Sequence, residues 1–447
     1  MACSMLNAKA EVIMLSKGHG RWIAGASICM GFGLAACGGD GVLSPVDQEV
    51  QEARSDLARD TNPAVADADY STLVADNNAF AFDLYHELAT SSDNLFYSPL
   101  SISVALAMTY AGARSSTESE MATALHYSLP QGVLHPAFNR LTLELDTRNV
   151  ASHPTEEGNK SVRVSLVNAA WAQQNYQFVP DYLDTLALNY DAGVKLLDFG
   201  GNPAGSTDII NDWVAVQTEQ KIKNLIPDGA IDSLTRLVLT NTLYFYANWG
   251  TVFNVEQTTN DVFHAPAGDQ TVPMMHGDLS APYGEGDGWQ MADLPYDGGK
   301  LSMTIILPEA GRFDEIRAGL TADWLAQNTA AMTVQEIGVS LPRFEFTWGS
   351  TSLKPALQTL GMVQAFGAGA DFSGMATGEE LYIGDVVHKA FVGVDESGTE
   401  AAAATAVLMQ NFGMPPAYLI ADRPFIFLIR DATGTLLFVG QLTSPTA

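Results

Sequence analysis

VDESGTEAAAATA, residues 394–406, is the most informative segment of this sequence. A Gly-Thr-Glu step runs into four consecutive alanines, and local propensity leaves such a segment undecided between helix and extended chain. As a strand it would place alternate side chains on opposite faces, with Thr399, Ala401, Ala403 and Thr405 on one and Glu400, Ala402 and Ala404 on the other. Every residue is small, and none lacks the N–H that a central strand must donate. The stretch therefore suits a segment that enters a sheet after the sheet has formed, whereas an isolated alanine run would indicate a surface helix or a linker.

The surrounding sequence removes most of that ambiguity. The segments around the stretch are NLFYSPLSISVALAMTYAGARSST (94–117), INDWVAVQTEQKIKNLIPDG (210–229), LVLTNTLYFYANW (237–249), LPYDGGKLSMTIILP (294–308), LPRFEF (341–346), LGMVQAFGAGADFSGM (360–375) and ADRPFIFLIRD (421–431). In this order they resemble the serpins, serine protease inhibitors that trap a protease by inserting a cleaved loop into a β-sheet. The resemblance covers roughly residues 76–443. It implies an α+β serpin fold with about three β-sheets, eight to nine helices and an exposed reactive-centre loop.

Length and composition bound the classes of function. The 447 residues are 47% hydrophobic, enough for a large core, and the resemblance implies one serpin domain over residues 76–447. The formal charge of -29 argues against nucleic acid, anionic lipid and a heparin-type activator as partners. We expect a monomer.

The N-terminus carries the signals of export. All three cysteines lie within the first 37 residues, so the body of the chain has no disulfide. Lys17, His19 and Arg21 precede an apolar stretch at 22–36 that is too short to span a bilayer comfortably and is typical of a signal peptide. The Leu-Ala-Ala-Cys step ending at Cys37 resembles the bacterial lipobox, in which the cysteine is lipidated and becomes the mature N-terminus.

These signals predict a domain order and a location. We expect a lipoprotein signal peptide over residues 1–36, a lipidated Cys37, and a flexible acidic tether over residues 37–75. The start is Met1 or Met14. The protein would be exported and anchored to a membrane facing the periplasm or the cell exterior. The alternative is an ordinary cleaved signal and a secreted protein.

Periodicity gives a coarse secondary structure. Residues 77–89 have apolar side chains at helical spacing, and Ser98 with Pro99 is typical of the start of a second helix. Residues 161–173 and 237–249 have the apolar density of buried strands, and we expect an exposed loop over residues 146–160. Three early helices, a mixed middle and an all-β end indicate an α+β protein.

Four polar residues stand out in otherwise apolar elements: Ser98, Ser101, Asn241 and His388. The resemblance implies that they form the serpin shutter, a hydrogen-bonded cluster beneath the point where the strands part. It likewise implies that Trp249 marks the breach, at the top of that opening. The plainer interpretation is a satisfied core histidine and a core aromatic side chain.

Counting residues along the serpin pattern from Glu396 locates the hinge and the reactive bond of the loop. The hinge would comprise Glu396, Gly398, Thr399, Glu400, Ala401, Ala402, Ala403 and Ala404, within a reactive-centre loop over about 397–416. Gly398 would permit the chain to reverse through a positive φ. The count places the reactive bond between Phe412 and Gly413, with a register open to one residue and Leu408 and Met409 as secondary sites.

The resemblance then implies suicide inhibition without a cofactor. A protease would attack the Phe412 carbonyl, form an acyl-enzyme and be trapped covalently when the loop inserts. A phenylalanine there favours chymotrypsin-like or subtilisin-like serine proteases, with cysteine proteases as a further class. The sequence lacks the hydrolase, metalloprotease and P-loop motifs, and its scattered histidines suggest neither a catalytic site nor a metal site. The alternative function is that of a non-inhibitory serpin acting as a surface binding module.

Overall fold

The computed structural model describes residues 50–378, 381–399 and 415–445. These residues form nine α-helices and three β-sheets, which confirms the predicted α+β class and the expected number of sheets and helices. Cys37 and the predicted signal peptide lie outside the described residues. So do Glu400, the alanines at 401–404, and the Phe412–Gly413 bond.

The helices alternate with strands through most of the chain. They are α1 (Asp67–Leu88), α2 (Pro99–Tyr110), α3 (Ser115–Ala124), α4 (Gln131–Asp146), α5 (Pro180–Tyr190), α6 (Pro203–Gln217), α7 (Phe313–Ala318), α8 (Ala322–Ala331) and α9 (Lys354–Thr359). The predicted start of the second helix is confirmed, since the Ser98 side chain accepts a hydrogen bond from the Ser101 N–H and Pro99 is the first helical residue.

The strands of the first half of the chain are β1 (Glu52–Ala53), β2 (Leu95–Tyr97), β3 (Val150–Thr155), β4 (Gly158–Gln173), β5 (Gln177–Phe178), β6 (Val194–Leu197), β7 (Leu237–Asn248), β8 (Thr259–Ala265) and β9 (Gly268–Gly286). Those of the second half are β10 (Trp289–Pro295), β11 (Leu301–Pro308), β12 (Thr333–Pro342), β13 (Phe344–Ser352), β14 (Ala376–Thr377), β15 (Asp385–Asp395), β16 (Gly398–Thr399), β17 (Ala417–Ile420), β18 (Phe425–Asp431) and β19 (Leu436–Leu442). The two buried strands that the apolar runs predict are present as β4 and β7.

An eight-stranded sheet carries the candidate site. Its order is β1-β6-β4-β7-β16-β15-β13, with β3 paired to the outer part of β4. One face covers the main core, to which α1, α2 and α4 contribute. The other face packs on a smaller apolar cluster built around Trp171 and residues of α6. Because most of both faces is covered, β7 is buried along nearly its whole length, and its polar residues Thr240, Asn241 and Thr242 are buried with it.

A nine-stranded sheet lies on the other side of the main core, in the order β17-β12-β9-β10-β11-β18-β19-β2 with β8 paired to β9. Strand β17 follows the predicted reactive-centre loop in the sequence and pairs in parallel with β12. The third sheet is the short pair β5 and β14. No helix among the described residues is long and apolar enough to cross a membrane.

The segment before α1 departs from the sequence prediction. Residues 50–66, which we call the N-terminal strap, lie along the domain: β1 pairs with β6, and Arg59 Nε donates to Asn139 Oδ1 at 2.8 Å. A side chain at Gly193 would meet the Ala53 carbonyl oxygen at 2.6 Å, which shows how closely the strap follows the sheet edge. Helix α1 begins at Asp67, ten residues before the predicted helix. The predicted flexible tether over 37–75 is therefore wrong for residues 50–75.

The loop predicted over residues 146–160 is also wrong. Strand β3 turns through Glu156 and Glu157 into β4, with Thr155 opposite Gly158. Gly158 has φ 109°, a conformation that glycine adopts without steric cost. The hairpin escaped detection because β3 is partly exposed on both faces, and its side chains therefore lack the alternation that marks a half-buried strand.

Candidate functional site

The site is the opening between β7 and β15. These strands pair in parallel over four residues each, from Asp385↔Val238 to His388↔Asn241. Above that point β16 lies between them, antiparallel to both: Thr399 is opposite Val394 of β15 and Ala247 of β7. The sheet is thus closed at its foot and already holds two residues of an extra strand at its upper end.

An ion pair between a buried carboxylate and a partly exposed arginine closes the upper end. Glu396, whose side chain is 4% exposed, receives hydrogen bonds from Arg343 Nε to both carboxylate oxygens at 2.7 Å. The hydroxyl of Thr258 donates to the same carboxylate at 2.5 Å. Because Glu396 directly precedes the turn into β16, the pair fixes the point at which the loop leaves β15.

An aromatic stack supports the same corner. The rings of Trp249 and Tyr296 are parallel, with centroids 4.7 Å apart, and both side chains are fully buried. Trp249 Nε1 donates to the Asp395 carbonyl at 2.9 Å, and the Tyr296 hydroxyl lies 2.6 Å from Thr399 Oγ1. The stack therefore holds both sides of the turn, and it raises the pKa of Tyr296 through burial.

Gly398 is the tightest backbone position of the turn. Its φ is 155°, and a Cβ atom there would lie 2.0 Å from the Ala247 carbonyl oxygen. The N–H groups of Ser397 and Gly398 both donate to Asp395 Oδ1, at 2.8 and 3.2 Å. Glycine is therefore required by close approach to β7 as well as by conformation.

The four polar residues predicted to cluster do come together beneath the foot of the opening, and all four are fully buried. The Ser98 N–H donates to His388 Nε2 at 3.1 Å, which leaves Nδ1 to carry the proton and to donate to Asn241 Oδ1 at 2.6 Å. The Ser101 hydroxyl donates to Asn168 Oδ1 of β4 at 2.9 Å. The cluster thus joins α2 to β15, β7 and β4.

Burial keeps the His388 imidazole neutral by lowering its pKa to about 4, although the nearby Asn241 backbone raises it slightly. The Asn241 amide nitrogen Nδ2 is buried and has no hydrogen-bond partner among the described residues. A buried amide N–H group without an acceptor destabilises the folded protein. A further hydrogen-bond acceptor placed beside Asn241 Nδ2 would therefore be stabilising.

Sequence reasoning missed Arg343, Thr258, Tyr296 and Asn168. Arg343 lies within LPRFEF, a motif that the resemblance contained, but nothing in the local sequence shows that it pairs with a residue 53 positions later. Asn168 could have been found from its place as an amide inside the apolar run of β4.

Comparisons with known proteins agree with this geometry. A family model described as Serpin (serine protease inhibitor) matches residues 75–445. The chain belongs to the serpin family. It is 43% identical, over 82% of this chain and 84% of the other, to an uncharacterised serpin-like protein of Thermococcus kodakarensis. It is 37% identical to the leukocyte elastase inhibitor of Sus scrofa, over 83% of this chain and 99% of the inhibitor.

Solved structures extend the comparison to the fold. The thermophilic serpin tengpin in its native state superposes with a TM-score of 0.76 at 27% identity, covering 88% of this chain and all of tengpin. Uncleaved ovalbumin superposes with a TM-score of 0.73 at 26% identity, covering 83% of this chain and all of ovalbumin. As a serpin, the chain belongs to a family of protease inhibitors and is not an enzyme.

Proposed function

We propose that this serpin is a suicide-substrate inhibitor of chymotrypsin-like or subtilisin-like serine proteases, with cysteine proteases as a further class. The observation that carries the proposal is the double pairing of β16: Gly398 and Thr399 are already bonded to β7 on one side and to β15 on the other. A loop cleaved beyond this point needs only to continue the same antiparallel register to become a full strand.

The register supports insertion along the whole opening. Thr405 is six residues after Thr399, while Asn241 and His388 are six residues before its partners Ala247 and Val394. Continuing the ladder therefore brings Thr405 between Asn241 and His388, which are already neighbours in the parallel pairing of β7 and β15. The two ladders predict one and the same register, so insertion needs the strands to separate but not to slide.

Insertion would also supply a hydrogen-bond partner to the buried polar cluster. Thr405 would point toward the same face as Asn241, because directly opposed residues in an antiparallel pair share a face. Its hydroxyl would supply an acceptor for the unpaired Asn241 Nδ2. We propose on this basis that Ser98, Ser101, Asn241 and His388 act as the shutter, and that Trp249 acts at the breach.

The chemistry of the trap follows from acyl-enzyme formation. Attack of the protease serine on the Phe412 carbonyl forms an ester and releases the amine of Gly413. The freed loop then inserts, at roughly 3.3 Å per residue, and carries the attached protease on the order of 50 Å to the foot of the sheet. Such an inhibitor requires a native state held by a kinetic barrier. The four small alanines at 401–404 favour rapid entry of the hinge.

The second candidate is a non-inhibitory binding module, in keeping with the similarity to human thyroxine-binding globulin in complex with thyroxine (26% identity, TM-score 0.74). The hinge favours inhibition, because it contains no proline and no bulky side chain and Glu400 is its one charge after Thr399. Mixing the full-length protein with chymotrypsin distinguishes the two. Lasting loss of protease activity with a covalent band on a denaturing gel supports inhibition. Cleavage with full protease activity overturns it.

We also propose that the protein is exported and lipidated on Cys37, and that it is anchored to a membrane facing the periplasm or the cell exterior. The support is the apolar stretch and the Leu-Ala-Ala-Cys step of the sequence, with secretion after ordinary cleavage as the alternative. Mass spectrometry of the mature N-terminus tests it. A diacylglyceryl-modified Cys37 is expected, and an unmodified Cys37 in the mature protein would contradict the proposal.

A further inference from the structure

A cavity lies at the foot of the opening between β7 and β15, on the side of the sheet that faces α6. It has a volume of about 290 Å³, and Ile226, Ile231, Val238 and Val387 form its apolar wall. The rest of its lining consists of Ala230, Asp232, Leu234, Thr235, Tyr382, Gly384 and Asp385. We call it the foot pocket. The four wall residues belong to the smaller apolar cluster of the protein, so the pocket is a gap at the edge of a packed core.

The register of β16, continued along the loop, leads to this pocket. Leu408 is nine residues after Thr399. Val238 of β7 is nine residues before Ala247, and Asp385 of β15 is nine residues before Val394. Val238 and Asp385 are paired with each other in the native protein and both line the pocket. An inserted strand that keeps the register of β16 therefore places Leu408 between two residues of the foot pocket.

The side-chain direction agrees with the position. Val238 and Val387 point toward α6, since both belong to the smaller apolar cluster. Leu408 would be directly opposite Val238, and opposed residues in an antiparallel ladder share a face. Its isobutyl group would thus enter the foot pocket, against the apolar wall, rather than the main core.

On the face of the inserted strand toward α6, Leu408 would also be the last residue to enter the sheet. Strand β7 begins at Leu237 and β15 at Asp385, so the ladders on both sides end within one residue of Leu408. On the face toward α6, Glu400, Ala402, Ala404 and Ala406 precede it. The large apolar side chain of Leu408 therefore follows a series of mostly small side chains on this face. It would reach the foot pocket only when insertion is complete.

We infer that the foot pocket is a binding site for the Leu408 side chain in the loop-inserted state, and that filling it stabilises the final stage of insertion. The inference rests on the proposed insertion mechanism. It does not depend on the exact reactive bond, provided that cleavage occurs after Leu408. Burial of one aliphatic side chain against four others would be a favourable contribution to the loop-inserted state.

The test compares the unfolding temperature of the full-length protein before and after its loop is cleaved by a low-specificity protease, with the cut located beyond residue 410 by mass spectrometry. The variants are Leu408→Asp and Leu408→Ala. The matched control is Gln410→Asp, which places the same charge two residues later, beyond the ends of both ladders. A second variant, Ala230→Trp, fills the pocket from its exposed edge without changing the loop.

We expect cleavage to raise the unfolding temperature of the wild type and of Gln410→Asp equally. The rise should be several degrees smaller in Leu408→Ala, and smaller still in Leu408→Asp and Ala230→Trp. Equal rises in all variants would overturn the pocket assignment while leaving the insertion mechanism intact. No rise in the wild type would overturn the insertion mechanism itself, and the pocket assignment with it. A separate assay for a covalent complex with chymotrypsin tests the proposed inhibitory function, and absence of the complex would contradict that function.

Discussion

Arg343 clamps the buried carboxylate of Glu396, with its Nε 2.7 Å from each of the two carboxylate oxygens. The pair joins the start of β13 to the turn that leaves β15, at the end of the sheet where the proposed insertion would begin. It therefore stabilises the closed, native arrangement of the strands.

Removing the Glu396 charge should destabilise the native protein. In Glu396→Gln the Arg343 guanidinium, which is 41% exposed, loses its charge-assisted hydrogen bonds to the carboxylate but stays partly hydrated, so we expect a cost of about 2 kcal/mol of unfolding free energy. Denaturant unfolding of the uncleaved protein measures this. The control is Asp67→Asn, which breaks the pair with Arg140 at a carboxylate that is 93% exposed and should cost less than about 1 kcal/mol. Equal losses in the two variants would contradict a special role for the pair with the buried Glu396 carboxylate.

A methyl group at residue 398 should impair the entry of the loop. In Gly398→Ala the new Cβ would lie 2.0 Å from the Ala247 carbonyl oxygen, so β16 could not keep its pairing with β7. We expect a less stable native protein that chymotrypsin cleaves but that traps little of the protease. The control is Gly268→Ala, where φ is also positive (124°) but no atom lies within 4 Å of the added Cβ. It should keep full inhibition; a Gly398→Ala protein that inhibits equally well would contradict the prediction.

The native protein should lose stability as the pH falls from about 6.5 toward 4. The pKa of His388 is about 4 in the folded protein, while an unfolded histidine titrates near 6.5. In that window the unfolded chain binds a proton that the buried imidazole rejects, so the contribution of His388 is complete above pH 6.5 and declines below it. At pH 5 the loss is about 2 kcal/mol. His135, also buried with a pKa of about 4, adds a similar loss.

The variant His388→Gln separates the contribution of His388 to the pH dependence from that of His135. Unfolding free energies at pH 7 and pH 5 should differ less in His388→Gln than in the wild type, because the glutamine does not titrate. Burial raises the pKa of Asp395, which acts in the opposite sense but is present in both proteins and cancels in the comparison. An unchanged pH dependence in His388→Gln would show that this imidazole is not the titrating group.

The choice of protease should follow Phe412. Replacing its apolar ring by a guanidinium in Phe412→Arg should move inhibition from chymotrypsin to trypsin, whose specificity pocket carries a carboxylate. Second-order inhibition rates with both proteases measure the shift, and Asn411→Arg serves as the control one residue away. An exchange of preference in Asn411→Arg instead would relocate the reactive bond by one residue.

The elements that sequence predicts well are those with strong local signals. Ser98 and Pro99 begin α2, and the apolar runs of β4 and β7 become buried strands, because capping and uninterrupted hydrophobicity act over a few residues. The polar cluster was predicted through its family resemblance, and the structure brings its four members together.

The features that sequence did not predict depend on distant partners. The N-terminal strap is held by backbone pairing with β6 and by Arg59, and its mostly polar residues resemble a solvated linker. Arg343 and Tyr296 owe their importance to contacts with Glu396 and Thr399, which lie 53 and 103 residues later in the chain. Such pairings follow from the tertiary fold and leave no local pattern.

The most direct test of the proposed mechanism is the intact mass of the product formed by the full-length protein and chymotrypsin. Acyl-enzyme trapping predicts a covalent species equal to the protease plus the chain ending at Phe412, with residues 413–447 released as a separate peptide by cleavage of the Phe412–Gly413 bond. A cleaved chain of the same length beside free, fully active chymotrypsin, with no joined species, would contradict it.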